Sequence, residues 1–382
     1  MAILTMSAFT AQEAYESIAN ATATPTITSG SGKNSNRQTA GVGRYGTHND
    51  GLPAVMNIAN GWLGIWLRRT ASAPSGAIRL QFDAGGGSFT TRQSITINGS
   101  NQLGFGGFTT FTTVLTQDTW YWVELRWGTG TSAPWSLELF DEDGVSLESD
   151  SGNDNQDTNN TDVVQLDATN IEFAGFYIDS AAFLTGAASA RPVLFDEFLI
   201  DTGGTQVGTA WTGTQSDVDD RPHDDGTTVI SSSTTNDVES VALIDAPNIT
   251  ASDTVHAVKC HAFCERDTNP DASMRLYFRL TGGTTTNGAT VIPEKDNYDA
   301  INASLALCME SAPGQSDWSN LDWINDDSQI GVEYMQAQSR QVNCTQIVGT
   351  IAYTPAAAAD EKVPYKIRRV VPKQVPLRGM YP

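Results

Sequence analysis

The sequence predicts an all-β fold, with two antiparallel β-sandwich (jelly-roll-like) domains and an extended C-terminal arm. The first reason is composition: 17% of the 382 residues are charged, and Ser, Thr, Asn and Gly are abundant, as in β proteins with many turns. The second is a series of short apolar–polar alternations that starts at Gly61. Helical periods are scarce, and residues 8–20 are the one candidate for a helix. The third is a basic C-terminus whose prolines exclude a regular helix.

The first domain is predicted to span residues 1–204, with an irregular N-terminal segment. Residues 77–83 predict a half-buried strand, because alternate apolar side chains point to the same face. Residues 119–127 are apolar on both faces, which predicts a central strand. A hairpin is predicted around Asp143 and Gly144, because Asp-Gly supplies a positive-φ turn. The remaining strands of this domain are predicted at residues 94–97, 135–140, 145–147, 171–178 and 193–200.

The second domain is predicted to span residues 205–355. In its clearest strand, residues 274–280, the apolar side chains alternate with Arg275, Tyr277 and Arg279, which we expect to face outward. Further strands are predicted at residues 255–264, 303–309 and 347–353.

Four segments of the first domain form a recognisable pattern: residues 61–68 (GWLGIWLR), 120–126 (WYWVELR), the hairpin at 137–144, and 194–198 (LFDEF) as the closing strand. On these segments the first domain resembles the concanavalin A-like or laminin-G-like jelly rolls over roughly residues 60–200. The resemblance implies a β-sandwich fold. It does not select a function, because that fold carries lectins, hydrolases and structural modules.

The second domain has a recognisable order of segments, at residues 211–226, 239–247, 303–309, 317–323, 329–333 and 344–350. In these segments it resembles a module that is common in structural proteins of tailed bacteriophages. The resemblance implies a virion protein on the particle exterior or tail.

A spacer and arm, residues 356–382, reverse the charge of the chain. The last 21 residues contain six of the 22 basic side chains and none of the 44 acidic ones, so the arm carries +6 and residues 1–361 carry −28 of a total of −22. Because the acidic body repels nucleic acid, we expect no nucleic-acid partner and favour docking of the arm on an acidic subunit. The arm residues expected to contact the partner are Lys362, Lys366, Arg368, Arg369, Lys373, Arg378 and Tyr381.

The acidic residues do not form a recognisable hydrolase pattern. Retaining glycosidases place two carboxyl groups about 5–5.5 Å apart, and the acidic runs around Glu138 and Glu197 lack the same-face spacing. No Gly-x-Ser-x-Gly elbow accompanies the four histidines. We therefore expect no enzymatic activity. The competing hypothesis, a hydrolase, predicts glycan cleavage that is lost when Glu138 or Glu197 is replaced.

Two acidic clusters raise the question of calcium, which takes six to eight oxygen ligands. Neither cluster has EF-hand spacing, so we favour solvated acidic loops and expect no cofactor. A bound calcium ion is the alternative. The clusters are Asp141, Asp143, Glu148, Asp150, Asp154, Asp157 and Asp162, and Asp217, Asp219, Asp220, Asp224 and Asp225.

His256, Cys260, His261 and Cys264 have the residue types of a zinc site. On a strand, however, residues four apart are about 13 Å from each other, which is too far for shared ligands at about 2.0–2.3 Å. We expect buried strand thiols and assign no metal ligand. The pattern leaves open the disulfide state of Cys260, Cys264, Cys308 and Cys344.

The tryptophans of the first domain are predicted to lie mostly in the sandwich core. Trp135 follows a Gly- and Pro-containing stretch, residues 129–134, so we expect it to be exposed and to be the residue that contacts a glycan if the domain binds one.

We therefore expect a non-enzymatic virion structural protein of a tailed bacteriophage, a capsid decoration, head fibre or tail-associated protein that the arm anchors to capsid or tail subunits. A symmetric homo-oligomer such as a trimer is the expected assembly. The alternative is a carbohydrate-binding adhesin module that recognises host-surface glycans through loops of the first domain. No apolar stretch is long enough to span a membrane, and the N-terminus lacks a secretory signal, so synthesis in the host cytoplasm is expected.

Overall fold

The computed structural model of the protein is all-β with antiparallel sheets, which confirms the predicted fold class. The candidate helix at residues 8–20 lies outside the described residues. The described residues are 3–7, 26–29, 36–49, 52–54, 56–72, 74–84, 88–156, 158–180, 193–198, 200–201, 208, 210–219, 228–243, 249–250, 252–267, 272–280, 283–293, 304–315, 318, 328–335 and 341–356.

The strands between residues 3 and 179 belong to the first sandwich, except the fifth and sixth, which pair with each other in a separate two-stranded sheet. They are β1 (Ile3–Ser7), β2 (Thr26–Ser29), β3 (Asn36–Ala40), β4 (Val42–Tyr45), β5 (Thr47–Asn49), β6 (Leu52–Ala54), β7 (Gly61–Arg69), β8 (Ala77–Asp83), β9 (Phe89–Ile97), β10 (Gln102–Phe105), β11 (Thr109–Val114), β12 (Tyr121–Trp127), β13 (Gly130–Phe140), β14 (Ser146–Gln156), β15 (Val163–Asp167) and β16 (Ile171–Asp179).

The strands of the second sandwich follow from residue 194. They are β17 (Leu194–Phe198), β18 (Ile230–Ser232), β19 (Val238–Ala242), β20 (Thr254–Arg266), β21 (Met274–Arg279), β22 (Thr285–Asn287), β23 (Ser304–Met309), β24 (Gln329–Tyr334) and β25 (Val342–Thr354), with a 3₁₀ helix at Gln215–Asp217.

Two sheets, which we name A and B, form the first sandwich. Sheet A has the order β14-β13-β12-β7-β16-β3-β2 with β1 paired to β16, and sheet B has the order β11-β10-β9-β8-β15-β4. Alternate residues of β7 and β12, such as Ile65 and Val123, point into the core between the sheets and are fully buried. The strand predicted at residues 77–83 is confirmed with the same bounds as β8, and Gly144 has the predicted positive φ, at 80°.

Sheets C and D form the second sandwich. Sheet C has the order β17-β25-β20-β23 with β18 paired to β25, and sheet D has the order β19-β24-β21-β22. Their shared core includes Cys260 and Ile351 of sheet C and Phe278 and Val332 of sheet D. The inward residues of β21 are the apolar ones, so the predicted outward direction of Arg275, Tyr277 and Arg279 is confirmed.

The two sandwiches are joined by an aromatic layer between sheets A and C. Trp66, Trp122 and Tyr177 lie on the face of sheet A that points away from its own core, and they cluster with Phe195 of β17. The ring centroids of Trp122 lie 5.4 Å from Trp66 and 6.4 Å from Phe195. The indole N–H of Trp66 donates to the carbonyl oxygen of Val193 at 2.8 Å, so its polar atom is also satisfied. In the described part of the chain, the sheets therefore stack in the order B, A, C, D.

A buried lysine lies in the same interface. Lys259 of β20 is 1% exposed, and its ammonium group donates to the carbonyl oxygen of Met6 in β1 at 3.2 Å. A buried polar atom is costly without a hydrogen-bond partner. This hydrogen bond supplies one, and it joins β20 of the second sandwich to β1 of the first.

The prediction that residues 194–198 close the first sandwich is wrong. This segment, β17, pairs with β25 of sheet C, from Leu194 opposite Tyr353 to Phe198 opposite Gly349. Its apolar pattern indicates a strand correctly but does not identify a partner that is more than 150 residues away. The boundary predicted at residue 204 therefore separates β17 from the sheet to which it belongs.

The helices among the described residues include none that is both long and apolar enough to cross a membrane.

A substitution at Gly64 tests the aromatic layer. A Cβ at this position of β7 would overlap the rings of Tyr177 and Trp122, so Gly64→Ala forces both rings to move. We expect a loss of about 1–3 kcal/mol of unfolding free energy, as for other overpacked cores, measured by urea denaturation.

Gly99→Ala is the matched control, because a Cβ there meets no atom within 4 Å and we expect no change in stability. Equal stabilities of the two variants would contradict close packing between sheets A and C.

Candidate functional site

The residues predicted to hold a partner lie outside the described residues. They are Lys362, Lys366, Arg368, Arg369, Lys373, Arg378 and Tyr381. The structure does describe the segment from which the arm continues, residues 353–356, which we name the arm root.

Two side chains fix the arm root: Asp253, just before β20, and His256 of β20. The backbone N–H of Ala356 donates to Asp253 Oδ1 at 2.7 Å. The second oxygen of Asp253 accepts the backbone N–H of Thr250 at 2.7 Å, so both oxygens of this carboxylate are hydrogen-bonded. Thr354 Oγ1 is 2.8 Å from His256 Nε2, which adds a side-chain hydrogen bond at the last residue of β25.

The arm root continues directly from the central strand of sheet C. β25 lies between β20 on one side and β17 and β18 on the other. Its pairing with β20 extends from Thr354 opposite Thr254 to Val342 opposite Arg266. A force on the arm along the strand axis would therefore act on many inter-strand hydrogen bonds together.

His256 of β20 is a titratable group that contacts the arm root. Burial lowers its pKa from the ordinary 6.5 to about 4, so the imidazole is neutral at pH 7. The neutral ring can pair with the Thr354 hydroxyl as donor or acceptor.

The prediction that Trp135 is exposed is wrong. Trp135 belongs to β13, is 4% exposed and stacks on Phe108, with ring centroids 5.8 Å apart. Its indole N–H donates to Asp154 Oδ2 at 2.9 Å. The proline before Trp135 suggested a loop. However, residue 134 lies in a part of β13 that does not pair with β12, and a strand tolerates a missing N–H at such a position. Trp135 therefore does not supply a surface for a glycan.

Acidic residues of the first cluster act as hydrogen-bond acceptors. Glu148 on the edge strand β14 accepts the backbone N–H groups of Thr112 and Thr113 in sheet B, at 2.9 and 2.8 Å. Desolvation raises the pKa of Glu148, but these hydrogen bonds together outweigh it and lower the pKa below its ordinary value.

Asp141 Oδ1 accepts the N–H groups of Asp143 and Val145 within the hairpin turn. These contacts close the sandwich edge and the turn.

In the described ranges, no group of three or more His, Cys, Asp or Glu side chains is placed to hold a metal ion. Asp157, Asp220, Asp224 and Asp225 of the two acidic clusters lie outside those ranges.

Two carboxylates that the sequence does not connect are paired across strands. Glu124 of β12 and Glu138 of β13 are direct partners in the register of sheet A. Each accepts a local hydrogen bond, Glu124 from the indole N–H of Trp122 at 3.0 Å and Glu138 from the Ser146 hydroxyl at 2.9 Å. Their pairing depends on the β12–β13 register, which no tight turn in the sequence fixes. The backbone of Glu197, the other acid considered, pairs with Thr350 in sheet C.

The histidines and cysteines of β20 lie on a strand, as predicted. Cys260 points into the core of the second sandwich. His261, the next residue, points to the other face of β20, where its ring contacts Phe263 two positions further along the strand. The four cysteines are free thiols, and burial raises the pKa of Cys260 and Cys264 well above the ordinary value. Neighbouring ligand types on opposite strand faces cannot share one ion.

A groove of about 420 Å³ lies on the outer face of sheet D. Its floor follows from the register: Gly331 of β24 lies beside Tyr277 of β21, and a Cβ at Gly331 would overlap the tyrosine ring. The Tyr277 hydroxyl donates to the backbone oxygen of Glu239 at 3.2 Å. Asn287 of β22 is the partner of Tyr277 on the other side. The lining residues are Gly208, Val238, Arg275, Tyr277, Arg279, Thr285, Asn287 and Glu333.

Two arginines lie on either side of Tyr277 along β21. Arg275 Nη2 and Nε are 2.7 and 2.8 Å from Glu333 Oε2 of the neighbouring strand. Arg279 is the partner of Thr285 across the β21–β22 hairpin. The lining therefore contains two guanidinium groups and one carboxylate, a local excess of one positive charge on an acidic chain.

Burial shifts the pKa of two groups under the groove. Desolvation raises the pKa of Glu239 to about 7, against a lowering by the backbone N–H of Trp211. Desolvation also raises the pKa of Tyr277, so its hydroxyl stays protonated and remains a donor at neutral pH.

Neither a protein-family profile nor a curated protein sequence matches this chain. Similar solved structures include a Trypanosoma rangeli sialidase in complex with sialic acid, with 11% identity, TM-score 0.25, and coverage of 38% of this chain and 27% of the sialidase. An endo-β-1,4-glucuronan lyase from the fungus Trichoderma reesei has 12% identity, TM-score 0.28, and coverage of 43% and 90%. The binding domain of botulinum neurotoxin DC has 11% identity, TM-score 0.22, and coverage of 78% and 83%.

The chain thus spans only 27% of the length of the sialidase that it matches. At these identities and TM-scores the similarities support no conclusion about the activity of this chain.

Replacing Trp135 tests its role in the core. We expect Trp135→Ala to lower the unfolding free energy by about 3–5 kcal/mol, because it leaves a cavity beside Phe105 and Phe108. Val145→Ala, which truncates a side chain that is 58% exposed in the nearby turn, is the control that we expect to be neutral in denaturant unfolding. A Trp135→Ala protein as stable as the control would show that the indole is not packed.

The arm root should respond to pH through His256. Because its folded pKa is about 4 and its unfolded pKa about 6.5, the unfolded state binds the proton first as the pH falls. Stability is complete above about pH 6.5 and is lost as the pH falls toward 4. Between pH 7 and pH 5, the wild type should lose about 2 kcal/mol more than His256→Gln, measured by chemical denaturation. Identical pH dependence of the two proteins would contradict a buried neutral imidazole.

Proposed function

We propose that this chain is a non-enzymatic structural protein on the surface of a tailed bacteriophage particle, as a capsid decoration, a head fibre or a tail-associated protein. The observation that carries the proposal is the arm root. Residues 357–382 continue from a strand that is paired on both sides and pinned at Asp253. An anchoring segment needs such an origin, because it cannot hold a partner if the strand from which it continues unfolds.

The strength of this origin comes from the length of the pairing. β25 is 13 residues long, and β20, of the same length, pairs with it along almost its whole extent. Each inter-strand hydrogen bond contributes about 1 kcal/mol net, and a pull along the strand loads them together. The root is therefore suited to transmit force from the arm to the body.

The charge of the arm defines the kind of partner. The arm carries six basic side chains and residues 1–361 carry a net charge of −28, so an acidic surface on a neighbouring subunit is the complementary partner. In the described residues, Asp150 and Asp154 on the edge strand β14 belong to such a surface. Because pairs of this kind lose water on docking, they specify the partner and register more than they add affinity. The proposed assembly is a symmetric homo-oligomer, such as a trimer, bound to capsid or tail subunits.

The resemblance of the second domain to a module of phage structural proteins supports the same proposal. The alternative, glycan recognition through loops of the first domain, loses its named residue because Trp135 is buried. The proposal includes the absence of enzymatic activity. Glycan-cleavage assays of the wild type beside Glu138→Gln test this part, because a hydrolase would show cleavage that the variant loses.

Deletion of residues 362–382 tests the anchoring role. We expect the truncated protein to keep the wild-type melting temperature, because both sandwiches are complete before Ala356. We expect it to be missing from particles that assemble in cells supplying only this variant, as measured by immunoblot of purified particles.

A full-length control with the six basic arm residues changed to Gln separates charge from length. Failure of both proteins to incorporate supports electrostatic docking of the arm. Incorporation of the truncated protein at the wild-type level would disprove the anchoring role.

A further inference from the structure

Among the described residues, no acidic side chain pairs with the guanidinium group of Arg279 in the groove on sheet D, and we propose that this groove binds a saccharide that carries a carboxylate. Arg279 would take the carboxylate, and Thr285 and Asn287 would take sugar hydroxyls. The site belongs to the second sandwich and does not depend on the arm.

The first argument is the state of Arg279. Within the described residues its side chain makes no ion pair and no hydrogen bond, although the chain has 44 acidic and 22 basic side chains. Other arginines of the chain are matched, for example Arg275 by Glu333 at 2.7 Å and Arg79 by Asp167 at 2.8 Å. In so acidic a chain, an unmatched guanidinium in a groove is a binding group for an external anion.

The second argument is geometric. Gly283, with a φ of +89°, gives the guanidinium its space, because a Cβ there would be 3.0 Å from Arg279 Nη2. The hairpin turn is closed by the N–H of Gly283, which donates to the carbonyl of Leu280 at 3.0 Å. The planar guanidinium can donate two parallel N–H bonds to one carboxylate, which an ammonium group cannot match.

The third argument concerns the rest of the lining. Thr285 and Asn287 are exposed and alternate on β22, so a hydroxyl and an amide point to the groove beside Arg279. The ring of Tyr277 and the side chain of Val238 supply apolar surface for the C–H face of a sugar. The volume of about 420 Å³ lies within the range of small-ligand sites, about 300–1,000 Å³.

Charge distinguishes a sugar acid from a phosphate ligand. The lining has an excess of one positive charge, because Glu333 offsets Arg275. A single carboxylate balances this excess, whereas a phosphate dianion would leave a negative charge beside Glu333. The neutral hydrogen-bonding groups on β22 also suit hydroxyls rather than further anionic oxygens.

The experiment compares two ligands that differ in one group. A glucuronate-terminated tetrasaccharide and its carboxyl-reduced, glucose-terminated counterpart are titrated into the full-length protein up to 10 mM while ¹H–¹⁵N spectra or heat are recorded. We expect binding of the acid, weakened by salt, and at least tenfold weaker binding of the reduced sugar.

Three protein variants locate the effect. Arg279→Gln should weaken binding of the acid at least tenfold, and Arg279→Lys should restore only part of it, since it keeps the charge but not the planar fork. Arg79→Gln, which removes an arginine of the first sandwich, should bind like the wild type. Melting temperatures of all three should stay close to that of the wild type, which shows that each variant is folded.

The proposal is overturned by any of four results. These are no binding of the acid at 10 mM, equal binding of the reduced sugar, wild-type binding by Arg279→Gln, and equally tight binding of inorganic phosphate. Because the arm is intact in every variant, none of these results bears on particle incorporation.

Discussion

The packing of sheet A against sheet C through the aromatic layer is the contact on which the arrangement of this chain depends. Trp66 and Trp122 lie on the face of sheet A opposite to its own core, where a solitary sandwich would present polar side chains to water. Burying them against Phe195 turns two sandwiches into one stack. Their removal from water is worth roughly 1.5–3 kcal/mol for each large side chain, so separating the sandwiches would expose a large apolar surface.

This stack determines where functional groups can lie. The central strands of sheets A and C, such as β16, β20 and β25, are buried on both faces, so they supply support. β25 carries the arm root, and Lys259 of β20 donates a hydrogen bond across the interface to Met6. The outer sheets each keep one face away from the stack, and the groove around Tyr277 lies on such a face of sheet D. The proposed attachment and the proposed ligand binding therefore use different layers of the same body.

The sequence predicted features that depend on neighbours along the chain. The bounds of β8, the positive φ of Gly144 and the outward direction of Arg275 follow from alternation and turn chemistry, which are local. It did not predict contacts that depend on register between distant strands. The groove needs Gly331 beside Tyr277, and β17 needs β25, and neither pairing leaves a trace in a single sequence. The apolar outer face of Trp66 and Trp122 was the one available signal of the sandwich interface.

The membership of β17 in sheet C has a consequence for how such proteins can be recombined in evolution. If recombination joined two genes at residue 204, the second sandwich would be transferred without β17, the edge strand that pairs with β25. β17 and its Phe195 would stay with the first sandwich, without sheet C to pair with. A viable exchange would have to occur between residues 180 and 193, before the edge strand begins. Natural chimaeras of this architecture should therefore carry their genetic joints inside that short interval.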